Sequence, residues 1–228
     1  MNIFDIIGPI MIGPSSSHTA GAVRIGRIAR KILGECAVRA DITLVGSFAM
    51  TYKGHGTDKA LIAGILGMMP DDMRIPRSLE IANDQELNYN ISTTNKPSLH
   101  PNTAIIHLVG AGGAECLVEG ISVGGGNILI TRLNGMEAAF GGNVDTLIIA
   151  HSDVPGAVAA VSGYLANLGV NIGSMRLVRP RKNELSIMTL ELDSDIDESV
   201  VQELQEHKDI VSVVYIHPKH DSPQKNLH

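Results

Sequence analysis

The pattern over residues 146–217 limits the fold of this chain more than any other feature of its sequence. Residues 146–151 form an apolar run that is typical of a buried strand. The turn Asp153-Val154-Pro155-Gly156 follows, and apolar residues at helical spacing then continue to Gly169, a common residue at a helix end. This first half therefore predicts a strand, a tight turn and a helix.

The second half of the same region repeats the pattern. Strand-like segments occupy residues 170–179 and 184–192. A helical segment over residues 198–206 has Asp197 as its predicted N-cap, and a β-rich run over residues 210–217 closes the region. The order strand, helix, strand, strand, helix, strand predicts a ferredoxin-like βαββαβ domain.

Residues before 145 are richer in glycine and less regular, and they predict a separate mixed α/β domain. Helical patterns cover residues 20–33 and 58–66, with Thr57 as the predicted N-cap of the second helix. The predicted strands are residues 40–45, 103–109, 114–121 and 127–133. We therefore predict an α+β protein, with domains over residues 1–144 and 145–218 and a polar tail over residues 219–228.

The segment Gly13-Pro14-Ser15-Ser16-Ser17-His18-Thr19 is the strongest candidate for a functional site. Its four hydroxyls and one imidazole directly precede an amphipathic helix, whose N-terminus offers unpaired N–H groups and a partial positive charge. Together these groups predict a pocket for a small anion such as a carboxylate. A plain N-cap is the alternative, but capping requires only one hydroxyl, so the run favours a functional role.

Two further motifs carry a histidine beside turn-forming residues. Gly54-His55-Gly56-Thr57-Asp58 opens the second predicted helix, and His100-Pro101-Asn102-Thr103 precedes a predicted strand. Either histidine could equally lie on an exposed loop without a function. The three motifs could line one site, but sequence alone does not bring them together.

Charge and cysteine content argue against several classes of protein. The net charge is −6 and the pI is near 5.8, which argues against a nucleic-acid partner because phosphate binding needs a concentrated positive face. The two cysteines, Cys36 and Cys116, exclude a disulfide scaffold. The histidines show no metal-ligand spacing, so we expect no metal site in this chain. With no secretory signal and no apolar run of about 18 residues, we expect no membrane association and a cytoplasmic protein.

The three histidine motifs, in this order, resemble the β subunit of two-chain, iron–sulfur-dependent L-serine dehydratases. The run Ser122-Val123-Gly124-Gly125-Gly126 is similar to the same family, and the resemblance spans residues 2–217. The C-terminal region resembles the ACT domain, an amino-acid-sensing module, through the 153–156 turn and Gly169-Val170-Asn171-Ile172. The N-terminal domain is expected to resemble an allosteric substrate-binding domain of some dehydrogenases.

This resemblance implies a lyase, an L-serine ammonia-lyase of amino-acid catabolism and gluconeogenesis. In the family, an α subunit carries a [4Fe–4S] cluster whose uncapped iron binds the hydroxyl of L-serine, and the products are pyruvate and ammonia. Such a cluster needs at least three cysteine ligands. Cys36 and Cys116 cannot supply them, so the expected cluster belongs to the partner α subunit.

The residues that the resemblance implies fall into three groups. His18 and His55 are the candidates for proton transfer, the partner subunit could also supply the base, and the sequence does not decide among them. The candidates for contact with the substrate are Ser15, Ser16, Ser17, Thr19, Gly56, Thr57 and Asp58. The candidates for a regulatory ligand, shared across an ACT homodimer, are Asp153, Val154, Pro155, Gly156, Asn171 and Ile172.

Two alternatives stay open. The whole chain could be a stand-alone amino-acid-binding regulator without catalysis, and the ACT domain could serve for dimerisation alone, without a ligand. The cluster at residues 15–19 favours the enzyme subunit, because sensing alone does not need a histidine among so many hydroxyls.

Overall fold

The computed structural model of the chain describes residues 10–95, 100–180 and 184–218. The chain forms two compact units, one ending at Gly141 and the other beginning at Gly142. The predicted polar tail, residues 219–228, lies outside the described residues. In the described part of the chain, no helix combines the length and the apolar character needed to cross a membrane.

The N-terminal unit is a six-stranded sheet with helices, in the strand order β2-β1-β3-β4-β5-β6. The strands are β1 (Ala37–Gly46), β2 (Asn88–Thr94), β3 (Asn102–Gly110), β4 (Glu115–Gly124), β5 (Asn127–Leu133) and β6 (Met136–Phe140). The α-helices are α1 (Ala22–Leu33), α2 (Ser47–His55), α3 (Thr57–Ile65) and α4 (Ser78–Asp84). Strand β2 runs parallel to β1, and the remaining neighbours pair antiparallel. The predicted α+β class and the β3–β4 hairpin are confirmed.

Helices α1 and α3 pack with their backbones in close contact. A Cβ atom at Gly64 would lie 2.1 Å from the carbonyl oxygen of Val23, and one at Gly26 would lie 2.4 Å from that of Leu61. Only glycine allows two helices to approach so closely. Helix α1 then ends, as predicted, at Gly34, whose φ of +77° is the left-handed conformation usual at a helix end.

The basic residues of α1 bind backbone carbonyl groups. The Nη1 atoms of Arg27 and Arg30 donate to the carbonyls of Gly67 and Ile65, at 3.2 and 3.0 Å, near the end of α3. Arg24 Nη1 donates to the carbonyl of Gly126 at 2.9 Å, in the turn of the β4–β5 hairpin. These contacts link the basic residues of α1 to the end of α3 and to the β4–β5 turn.

The C-terminal unit has the predicted βαββαβ order. Its elements are β7 (Asp145–Ser152), α5 (Ala157–Asn167), β8 (Ile172–Val178), β9 (Leu185–Leu192), α6 (Glu198–Gln205) and β10 (Ile210–Ile216). The strands form an antiparallel sheet in the order β10-β7-β9-β8. Its core joins the sheet to both helices through Leu147, Ile149, Val161, Leu165, Met188, Leu190 and Leu204.

Several elements differ from the sequence prediction. Helices α2 and α4 and strands β2 and β6 were not predicted, because their residues lack a clear apolar period; in α2, Phe48 is the buried residue. Asp197 does occupy the N-cap position of α6 with extended backbone, but its side chain makes no capping hydrogen bond. The prediction holds for the position and fails for the cap itself.

Candidate functional site

The first histidine motif, residues 13–19, leads into the first turn of a helix. Residues Ser16–Gly21 wind as a π-helix that continues directly into α1, and Ser15 is the N-cap. The Oγ atom of Ser15 accepts the backbone N–H of His18 at 3.3 Å. The predicted helix start at residue 20 is therefore wrong: the polar residues before it carry no apolar period, yet the Ser15 cap starts the helical winding at Ser16.

His18 is buried, and hydroxyl groups contact both of its ring nitrogens. Ser15 Oγ lies 3.3 Å from Nδ1, and Ser47 Oγ, from the first residue of α2, lies 3.3 Å from Nε2. The ring also meets the edge of Phe48, with 5.1 Å between centroids. Burial, and then the neighbouring His55, lower the pKa of His18 below its ordinary value. The imidazole is therefore neutral near pH 7.

His55 comes from the second motif and lies against His18. Their ring centroids are 4.7 Å apart. His55 is exposed, and its imidazole forms no hydrogen bond to the residues that the structure describes. The alternative of an exposed loop holds for the exposure of His55 but not for its backbone, because His55 is the last residue of α2, which Gly56 ends with a φ of +70°. The structure thus brings the first two motifs together as a buried and an exposed histidine.

The third motif supports the start of α2 rather than adding a side chain to the histidine pair. The Phe48 N–H donates to the carbonyl of Pro101 at 3.3 Å. Within the motif, Asn102 N–H donates to Nδ1 of His100 at 3.2 Å, and the Thr103 hydroxyl donates to the carbonyl of His100 at 2.6 Å. This turn therefore fixes where α2 begins.

The glycine-rich run at the end of β4 packs behind the π-helix. Ser122 is fully buried, and a Cβ atom at Gly21 would lie 2.2 Å from its Oγ. Asn102 Nδ2 donates to the carbonyl of Ser122 at 3.4 Å, which links this run to the third motif. Gly125 and Gly126 form the hairpin turn with φ of +59° and +79°, a geometry that favours glycine at both positions.

The remaining substrate-contact candidates differ in exposure. Ser16 and Ser17 are half-buried and lie beside His18 in the π-helix. Thr19 and Thr57 are buried, and neither hydroxyl has a hydrogen-bond partner among the described residues. The predicted N-cap at Thr57 is wrong, because Gly56 holds that position and Thr57 is the first residue of α3. Asp58 is half-buried and accepts the N–H of Lys59 at 2.8 Å.

The regulatory-ligand candidates divide between two ends of the C-terminal sheet. Asp153, Val154, Pro155 and Gly156 follow the end of β7, where Asp153 forms an ion pair of 3.0 Å with Arg179. Asn171 and Ile172 lie at the start of β8, which pairs with the end of β9, and the Asn171 amide donates to Asp193. One chain therefore does not bring the two groups together.

Sequence reasoning missed four residues that contact the candidate residues His18, Asp153 and Asn171. They are Ser47, Phe48, Arg179 and Asp193. The Gly46-Ser47 pair, directly after the predicted strand 40–45, is a signal that could have indicated Ser47. Nothing local indicates the other three, because their contacts depend on how separate elements pack.

No group of three His, Cys, Asp or Glu side chains within the described ranges could hold a metal ion. Cys36 is exposed. Burial raises the pKa of the Cys116 thiol to about 12, so this thiol stays protonated. A protonated thiol is a poor metal ligand.

Comparison with known proteins gives matches in both units. The sequence profile of the family "Serine dehydratase beta chain" matches residues 2–132, and the "ACT domain" profile matches residues 144–209. The chain is 43% identical over 215 residues to "Probable L-serine dehydratase, beta chain" of Bacillus subtilis (strain 168), covering 94% of this chain and 97% of that protein. It is 40% identical over 198 residues to "L-serine dehydratase, beta chain" of Peptoniphilus asaccharolyticus, covering 86% and 89%.

Among solved structures, the ACT domain of a GTP pyrophosphokinase from Chlorobium tepidum is similar to part of the chain. It is 15% identical, covers 31% of this chain and 94% of that one, and has a TM-score of 0.27.

Proposed function

The chain belongs to the serine dehydratase beta chain family, and we propose that it is the β subunit of an L-serine dehydratase that works with an α subunit. The two beta-chain relatives match it over nearly their whole length, which does not favour a stand-alone ACT regulator. The observation that carries the proposal is the contact between His18 and His55, which joins two separate motifs in one site.

The two histidines suit different tasks in the elimination. The reaction removes a proton from the α-carbon and the hydroxyl from the β-carbon of serine, giving water and aminoacrylate, which hydrolyses to pyruvate and ammonia. His55 is exposed and is the histidine that a substrate can reach, so we assign the α-proton to it. His18 has both ring nitrogens in contact with hydroxyls, so we assign it to holding His55 in place.

The half-buried serines provide the anion-binding part of the site. The hydroxyls of Ser16 and Ser17 lie in the first helical turn, where the helix N-terminus contributes a partial positive charge. We assign the substrate carboxylate to this turn. Thr19 and Thr57 are too deeply buried for that contact, so we assign them to the packing behind it.

The [4Fe–4S] cluster that the family implies does not fit this chain. Its sequence has two cysteines, and the buried one stays protonated. We therefore assign the cluster to the α subunit, where it would supply a Lewis acid for the departing hydroxyl.

For the ACT domain we propose a homodimer through strand β8. This strand lies at the edge of the sheet, and residues 173–177 are exposed. Antiparallel pairing of two β8 strands would place the start of one, with Asn171, toward the end of the other, on the side of the Asp153 turn. A small amino acid could then bind residues of both groups, which one chain keeps apart.

Alanine variants of the site in the assembled enzyme test the proposed function. His55→Ala should lower serine turnover by roughly a hundredfold or more, because it removes a general base. Ser16→Ala should lower kcat/KM by roughly ten- to a hundredfold, the effect of losing about 1.5–3 kcal/mol of hydrogen bonding to the substrate carboxylate. His18→Ala should also lower turnover, because His55 loses the ring that holds it in place.

His107→Ala is the matched control. His107 lies on β3 and pairs with Glu115 at 3.0 Å, outside the site, so this variant should keep its activity. Steady-state kinetics of pyruvate formation and thermal melts are measured on the same samples. Activity that falls only in step with stability, or a fully active His55→Ala variant, would contradict the proposal.

A further inference from the structure

Ser47 lies outside the three histidine motifs, yet it contacts the buried histidine of the site. Its Oγ lies 3.3 Å from Nε2 of His18, opposite the contact of Ser15 with Nδ1. On the basis of the proposed function, we propose that Ser47 is a positioning residue that fixes the orientation and the tautomer of His18 against His55.

The groups around the His18 ring indicate which nitrogen carries its proton. The Ser47 hydroxyl can accept a hydrogen from Nε2, the ring nitrogen that it contacts. At the other side, Ser15 Oγ accepts the backbone N–H of His18, and its own hydrogen is available for Nδ1. With both contacts made in this way, the neutral imidazole carries its proton at Nε2.

The position of Ser47 is fixed by the backbone on both sides. Strand β1 passes into α2 through Gly46, whose φ of +61° and ψ of −127° suit glycine. A Cβ atom at Gly46 would lie 2.5 Å from the carbonyl oxygen of Pro101. On the helical side, the Thr51 hydroxyl donates to the Ser47 carbonyl at 2.8 Å. Ser47 therefore offers its hydroxyl to His18 from a rigid support.

This arrangement favours His55 as the histidine that takes up a proton. His18 is buried and neutral, and its ring lies 4.7 Å from that of His55, so two positive charges in the pair would repel each other. Without the Ser47 hydroxyl, His18 could turn or change tautomer, and the support of His55 would weaken. Since Ser47 acts through His18, its loss should reduce kcat and leave KM nearly unchanged.

Three serine variants test this inference. Ser47→Ala removes the hydroxyl, Ser47→Thr keeps it, and Ser162→Ala changes a serine of α5 that bonds to the Val158 carbonyl at 2.9 Å. The first measurement is the ¹⁵N NMR spectrum of the histidine rings in the full-length chain, without its partner. The second is the pH profile of kcat and KM in the assembled enzyme.

Ser47→Ala should change the Nε2 and Nδ1 shifts of His18 and lower kcat about tenfold, with KM within about twofold. It should also shift the pH profile, whereas Ser47→Thr and Ser162→Ala should resemble the parent. Unchanged nitrogen shifts in Ser47→Ala, or a rise in KM at constant kcat, would overturn the inference. A parent enzyme that fails to turn over L-serine would instead refute the proposed function, since the NMR measurement does not depend on activity.

Discussion

Helices α1 and α5 both begin after a short polar turn, but the two openings are built differently. The opening of α1 is a π-helix capped by the Ser15 side chain, and its His18 is buried against α2. The opening of α5 has Gly156 at the N-cap, with a φ of +96° and no side-chain cap. Its Asp153 pairs with the half-exposed Arg179, and Val154 and Pro155 are exposed.

The difference shows that a polar turn before a helix does not by itself indicate a site. At α1, Ser47 of α2 contacts His18, Ser122 at the end of β4 packs against Gly21, and the 100–103 turn supports the start of α2. At α5, Asp153 of the turn pairs with Arg179, and the Asp153 N–H donates to the carbonyl of Glu184 just before β9. Convergence of distant segments, rather than the local motif, distinguishes the first opening.

The largest expected effect is on stability and has opposite sign in the two helices. Gly26 of α1 faces the backbone of α3, so Gly26→Ala should destabilise the chain by roughly 1–3 kcal/mol through overpacking. Gly163 of α5 has no neighbouring atom within 4 Å of an added Cβ, so Gly163→Ala should stabilise it by about 0.5–1 kcal/mol. Denaturant unfolding of both full-length variants measures the difference, and effects of the same sign would contradict it.

A smaller effect should follow from pH at the first opening. Folding lowers the pKa of His18 below the ordinary value of 6.5, so the unfolded chain binds this proton more readily than the folded one. The stability that depends on neutral His18 is present above about pH 6.5 and is lost as the pH falls below it, by less than about 1.4 kcal/mol per unit.

His18→Gln should remove this part of the pH dependence. Unfolding free energies at pH 7.5 and pH 5.5 test it, with the expectation that the parent chain loses more stability than the variant between these two values. Equal losses in both proteins would show that His18 does not titrate differently on folding.

The smallest effect is expected at the second opening. Asp153→Asn weakens an ion pair in which the Arg179 side chain is 55% exposed and the Asp153 side chain 16% exposed, so the free energy of unfolding should change by about 1 kcal/mol at most. Because the pair lies beyond the end of β8, light scattering should show a dimer for both parent and variant. A monomeric parent chain at micromolar concentration would refute the proposed β8 pairing. A large loss of stability in Asp153→Asn would show that the turn before α5 depends on its side-chain contacts as strongly as the turn before α1 does.

Local sequence patterns predicted the elements that carry a clear period. The six elements of the C-terminal unit, helix α1 and the β3–β4 hairpin follow from apolar spacing and glycine ends. Strand β2 did not, because its residues Asn88–Thr94 are largely polar and its place is set by parallel pairing with β1.

The candidate site was predicted in composition but not in arrangement. The motifs indicated His18 and His55 as candidates. The contact between these two rings was not predicted, because it depends on the packing of α2 against the π-helix. Ser47 lies 29 residues from His18 in sequence, and no periodic pattern links them. Long-range packing of this kind leaves no signal in a local window.

The wide turn at Ser16–Gly21 makes this segment sensitive to changes in length as well as in residue type. Each residue of an α-helix rotates the chain by about 100°, and a π-helical turn holds one residue more than the α-helical path would. Deleting one residue here would restore α-helical winding and rotate the residues before the deletion relative to α1. Single-residue deletions should therefore be tolerated far better in the exposed turn before α5 than between Ser16 and Gly21. In the second segment, the direction in which each side chain leaves the helix axis is part of the site.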